Sequence, residues 1–150
     1  MVKDQKKGFT IIEVVLVLAI AGLIFLMVFV ALPALQRGQR DGQRRNDITR
    51  FMSQITSYST NNRNSVPNSA KIPAFLRDYM KQDEGEFRDP KTGENYIVLT
   101  GIDKTPATNT IVYANGAKCN GEEFQAVSGA RNVAVRIQLE GSGVYCQDNQ

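Results

Sequence analysis

From Val14 to Leu32 every position is apolar or glycine, with no polar side chain to break the run. A helix needs about 20 such residues to cross a bilayer, so this stretch predicts one membrane-crossing helix. Gly22 falls mid-span, where glycine is common in membrane helices. Pro33 follows; it lacks a backbone N–H and predicts a kink. Beyond it the pattern becomes periodic. Ile48, Phe51, Met52, Ile55 and Tyr58 recur at spacings of three and four, one apolar stripe along a continuing helix. Arg44, Arg45, Asp47, Arg50 and Gln54 fall on the opposite, solvated face. Gly38 and Gly42 lie four apart near the kink and leave room for close helix approach.

The turn-rich segment from Ser59 to Pro67 ends that helix. Ile72, Phe75, Leu76, Tyr79 and Met80 mark a short amphipathic helix, with Pro73 well placed near its start. An acidic loop spans Asp83 to Glu86, and Asp89-Pro90-Lys91-Thr92-Gly93 has turn chemistry. The pattern then shortens to strand length. Asn95 to Thr100 and Asn109 to Tyr113 are strand candidates. Asn132 to Leu139 alternates, with Val133, Val135, Ile137 and Leu139 on one face. Gly141-Ser142-Gly143 predicts a hairpin turn into a last strand at Val144-Tyr145-Cys146. Asn115-Gly116 and Asn120-Gly121 bound a turn-rich loop that carries Cys119. The fold class expected is α+β: a long N-terminal helix, half apolar and half amphipathic, packed on a small four-stranded, mostly antiparallel sheet.

The chain has 150 residues and a net charge of +3, with no histidine. That length suits one membrane segment and one small domain. Without histidine, histidine-based triads are excluded and most zinc enzymes with them. No phosphate loop, dinucleotide fingerprint or calcium-loop spacing occurs. Asp83, Glu84 and Glu86 read as a solvated loop, not a cation site. The expectation is a non-enzymatic protein with no cofactor and no metal. The arginines from Arg37 to Arg50 invite a nucleic-acid reading, but Asp41 and Asp47 interrupt them and no aromatics interleave. A solvated or subunit-contacting helix face, or contact with anionic headgroups, accounts for them as well.

One charge is out of place. Glu13 stands at the entry to the apolar run. A charge at mid-membrane costs about 2.5–3.5 kcal/mol, and each Val, Leu, Ile or Phe returns about 0.3–0.6 kcal/mol. The fourteen such residues between Val14 and Leu32 therefore carry Glu13 into the bilayer. An acid retained there calls for a partner cation. Removing residues 1–8 would leave a cationic amine on Phe9, one helical turn from Glu13. In a packed assembly the amine of one copy would face Glu13 of the next.

Lys6-Lys7-Gly8-Phe9-Thr10-Ile11-Ile12-Glu13 and the apolar run after it resemble the class III signal peptide of type IV pilins and pseudopilins. The resemblance covers about the first thirty residues. It implies that a membrane aspartyl peptidase, the prepilin peptidase, cuts after Gly8 and methylates the new N-terminal Phe9. Glu13 takes the place of the family's filament-assembly acid. Many pilins carry a proline a few residues before the position of Pro33. The Asp89-Pro90, Gly93 and Tyr96 arrangement is similar to the opening of the sheet region in several members of the family.

The resemblance divides the chain into a leader, 1–8, a transmembrane and assembly helix, 9–35, an amphipathic continuation, 36–60, and an extracytoplasmic domain, 61–150. The motif, not the charge count, places that domain outside, since basic residues flank the apolar run on both sides. An ordinary secretory signal cut near Ala31-Leu32-Pro33-Ala34 is disfavoured by the length of the run. In a small extracytoplasmic domain, Cys119 and Cys146 are expected to pair, with two free thiols as the alternative. The family often ends in such a disulfide-bounded region.

The partners implied are other copies of the chain in a helical filament, the prepilin peptidase, and an inner-membrane assembly platform with its ATPase. The membrane holds the chain before assembly, and a host-cell surface or DNA is a further partner of the finished pilus. Adhesion, motility or DNA uptake are the roles implied. The alternatives are a minor pilin or type II secretion pseudopilin, a DNA-binding competence pilin, and a lone anchored receptor domain.

Overall fold

A computed structural model of the protein describes residues 8–141 and 143–150. Most of the expected leader, and Ser142 of the expected hairpin turn, lie outside the described residues. Contacts divide the chain into two units, with the boundary between Gln36 and Arg37.

The first unit is helical from Ile11 onward, the start of α1 (Ile11–Asn61). Its apolar side chains are exposed: Phe25 and Phe29 are 64% and 76% exposed. Among the described residues, α1 is the one helix long and apolar enough to cross a membrane. Pro33 removes the N–H that would meet the carbonyl of Phe29, yet helix continues on both sides of it.

The second unit begins on the same helix, where 3.6-residue periodicity brings Ile48, Phe51, Met52 and Ile55 to one buried face. The hydroxyls of Thr49, Ser53, Thr56, Ser57 and Thr60 donate to carbonyls one turn back. They find an acceptor on the helix itself, and Thr49 also reaches Gln147 Oε1 at 3.2 Å. The helix ends where Arg63 and Asn64 turn left-handed, at φ 54° and 63°, and Asn64 N–H returns to the Ser59 carbonyl. α2 (Ile72–Asp78) carries a proline in its first turn, as the sequence predicts. Its Phe75 meets Phe51 edge to face, ring centroids 5.2 Å apart.

Six strands follow among the described residues: β1 (Ile97–Thr100), β2 (Thr110–Asn115), β3 (Ala117–Asn120), β4 (Glu123–Ala126), β5 (Val133–Gln138) and β6 (Val144–Asp148). Four form one sheet in the order β1-β2-β5-β6, with β1–β2 parallel and the other pairs antiparallel. This is the α+β, type IV pilin-like architecture the sequence predicts: a long helix with an apolar stretch and a small, mostly antiparallel sheet. In the β2–β5 register Ile111 lies opposite Ile137, and Tyr113 opposite Val135. These residues share the core with Ile48, Phe51, Met52 and Ile55 of α1. Tyr113 donates its hydroxyl to the Pro67 carbonyl at 2.8 Å, so its polar tip is satisfied inside that core.

Three expectations need correction. The segment around Cys119 is not a loop: β3 and β4 pair antiparallel as a separate hairpin. Short strands broken by Asn-Gly read as loop because each alone offers too few apolar positions. Second, β5 is buried on both faces, Ala134 and Arg136 included. The hairpin is the reason: Ala117, with Cys119 and Phe124 beside it, packs on Ala114 and Ala134. Third, Arg44 does not lie on a solvated face; it is 1% exposed. Within the acidic segment, Gln82–Glu84 forms one turn of 3-10 helix.

Candidate functional site

The N-terminal site is built by four residues. Thr10-Ile11-Ile12-Glu13 is a capping box, a Thr followed three residues later by a Glu. The N–H and the hydroxyl of Thr10 both donate to Glu13 Oε2, each at 2.8 Å. The Glu13 N–H points back to Thr10 Oγ1 at 3.4 Å. The carboxylate thus holds an otherwise orphaned donor at the positive end of α1. The sequence presents Glu13 as an acid that calls for a cation; the structure gives it this second duty as well. The Thr-x-x-Glu spacing was the signal that could have disclosed it.

Gly8 and Phe9 precede the cap and are not helical. Phe9 is 90% exposed, and among the described residues beyond its chain neighbours no atom lies within 4 Å of where a Gly8 Cβ would stand. The Gly8–Phe9 bond is therefore open backbone immediately ahead of a capped helix. A peptidase needs its substrate backbone outside regular structure, and the bond meets that need.

In the second unit the charged residues are collected into one cluster. Asp89 accepts the N–H groups of Lys91 and Thr92 on one carboxylate oxygen and Arg44 Nε, at 2.8 Å, on the other. Arg44 also lies within 3.3 Å of Asp41 and of Glu140. Arg40 grips Glu140 with two parallel bonds of 2.9 and 2.8 Å. Asp41 accepts the N–H groups of Glu140 and Gly141, both at 2.8 Å. Burial works to raise the Asp41 carboxyl, but those donors and Arg44 hold it below its ordinary value. The Arg40 fork does the same for Glu140. Asp47 departs the other way: burial pushes it up, against the Tyr96 hydroxyl that donates to it at 3.0 Å. The cluster binds the helix to the Asp-Pro turn and to the end of β5.

Cys119 on β3 and Cys146 on β6 are joined by a disulfide, their Cα atoms 5.9 Å apart. It clips the hairpin to the edge of the sheet. Arg136 reinforces the same junction from beneath, donating to the Glu122 and Lys104 carbonyls and stacking over Phe124 at 4.3 Å. No group of histidine, cysteine, aspartate or glutamate suited to a metal occurs among the described residues.

Residues 3–29 match the family model described as the prokaryotic N-terminal methylation motif. No curated protein and no solved structure matches the chain. The chain carries at its N-terminus the class III signal peptide of type IV pilins and pseudopilins.

Proposed function

We propose that the chain is a prepilin, a structural subunit that is trimmed and N-methylated and then polymerises through its N-terminal helix into a type IV pilus-like filament. The observation that carries this reading is the open Gly8–Phe9 bond directly ahead of a capped, uncovered apolar helix within the methylation motif. Before assembly the apolar run lies in the cytoplasmic membrane with the αβ domain outside. After assembly, packing against other copies replaces lipid contact. Pro33 is the position where the helix bends to fit that packing. Glu13 exchanges its Thr10 contacts for the methylated amine of Phe9 on a neighbouring copy, giving each charge an opposite in an apolar surround.

The partners are the prepilin peptidase, an assembly platform with its ATPase, and further copies of the chain. A role for the Arg37–Arg50 stretch in holding DNA has less support. Arg44 is buried, and Arg40 and Arg50 are paired with Glu140 and Glu86.

Two variants at one position test the assembly role. Glu13→Gln keeps an acceptor for the Thr10 N–H and removes the charge, whereas Glu13→Ala removes both. Both are expected to be trimmed normally and to leave the sheared surface fraction nearly empty of filament in electron micrographs. Wild-type filament yield from Glu13→Gln would show that the cap, and not the charge, is what Glu13 contributes.

A further inference from the structure

Two further cations border the ion cluster. Arg37 and Lys91 have no acidic side chain within 4 Å among the described residues. Both line a cavity of about 460 Å³, together with Arg44, Thr108, Gln138 and Glu140. That volume falls in the range of about 300–1,000 Å³ usual for small-molecule sites. Both Glu140 oxygens are held by Arg40 and one also by Arg44; with Asp41 and Asp89 the cluster sets two arginines against three carboxylates, so Arg37 and Lys91 leave the site one positive charge in excess. What remains to be satisfied is positive: a guanidinium fork, an ammonium and the hydroxyl of Thr108.

The position of the cavity along the chain identifies what would enter it. The apolar run closes at Leu35, two residues before Arg37, and those two residues add about 3 Å of helix. Polar headgroups occupy roughly the first 5–7 Å outside the hydrocarbon. Arg37 therefore emerges from the run at headgroup depth. Cationic side chains at that depth draw anionic lipid, and a guanidinium meets phosphate oxygens two at a time.

We propose that this cavity holds a phosphate group, presented by an anionic lipid headgroup, between Arg37 and Lys91. The proposal rests on the reading that residues 14–35 span a bilayer. It adds a lipid co-ligand that would have to be released, or carried along, when the chain leaves the membrane.

The test uses the full chain in detergent micelles doped with phosphatidylglycerol or with phosphatidylcholine, and native mass spectrometry counts the lipid retained. Wild type is expected to retain phosphatidylglycerol selectively. The double variant Arg37→Gln/Lys91→Gln is expected to lose about thirtyfold in that retention. The charge-matched control Arg63→Gln/Arg131→Gln, whose residues line a different groove, is expected to retain lipid as wild type does. Equal retention of the two lipids, or no loss in the Arg37/Lys91 variant, overturns the proposal. Displacement of the lipid by inorganic phosphate at equal concentration assigns the cavity to free phosphate and overturns the lipid source. Detergent phase partitioning of the same samples reads the membrane segment separately. A chain that enters the detergent phase without lipid selectivity sinks the cavity alone, and one that stays in the aqueous phase sinks both.

Discussion

Arg44 on α1 and Asp89 in the Asp-Pro turn meet at 2.7 Å with both side chains shut away from solvent, 1% and 0% exposed. Forty-five residues separate them in the chain. Asp89 has its second oxygen occupied by the Lys91 and Thr92 N–H groups, and Arg44 lies within reach of two further acids. A buried charge is stable only when its remaining bonds are met in this way.

Removing one member leaves the other uncompensated. Arg44→Met fills much of the same space without the charge, and the expected loss is about 3–5 kcal/mol of unfolding free energy. Urea denaturation of the detergent-solubilised chain, followed by near-ultraviolet tyrosine dichroism, measures it. A loss under about 1 kcal/mol would place Arg44 among ordinary surface pairs and contradict its burial.

This pair also marks how far the sequence could be read. The apolar stripe from Ile48 to Tyr58 and the alternation of Val133 to Leu139 gave the helix and the central strand, because burial of apolar surface leaves a periodic trace. An arginine that packs inward leaves none. Arg44 sits beside Arg45 and looks like half of a charged face until Asp41, Asp89 and Glu140 are brought around it. The β3–β4 hairpin was illegible for a related reason. Its small residues, Ala117 against Ala114 and Ala134, are apolar but too slight to register as a core. At the N-terminus Gly8, Phe9 and the apolar run form a local motif, and the Thr10–Glu13 cap leaves its own trace in the Thr-x-x-Glu spacing.

Acid affects the cluster in two opposed ways. Asp41 and Glu140 have folded values below the ordinary value of about 4. Each therefore contributes stability that is present above about pH 4 and is lost as pH falls through its depressed value. Asp47 has a raised folded value, so it takes stability away as pH rises from about 4 through that value. Asp47→Asn, which keeps an acceptor for Tyr96, is expected to raise the thermal midpoint at pH 7. It should also flatten the profile just above pH 4 while leaving the acid collapse below it intact. A midpoint lowered at pH 7 would mean that the Asp47 charge is needed, against its burial.

The disulfide closes a span of 27 residues and is expected to stabilise the second unit by about 3–4 kcal/mol. Cys119→Ser/Cys146→Ser should lose about that much. Hydrogen exchange should rise first at β3 and β4, whose remaining ties to the sheet include Arg136, the Cys119 N–H bond to Asp148 and the small alanine cluster. Exchange rising instead across β2 and β5 would show that the clip supports the central sheet and not the hairpin.

The account depends most on what becomes of the Gly8–Phe9 bond. Intact-mass and N-terminal fragment analysis of protein sheared from the cell surface is the direct measurement. The account predicts a chain that begins at Phe9, one methyl group heavier than the sequence from that residue. A chain that begins at Met1, unmethylated and recovered only from the membrane, would contradict it.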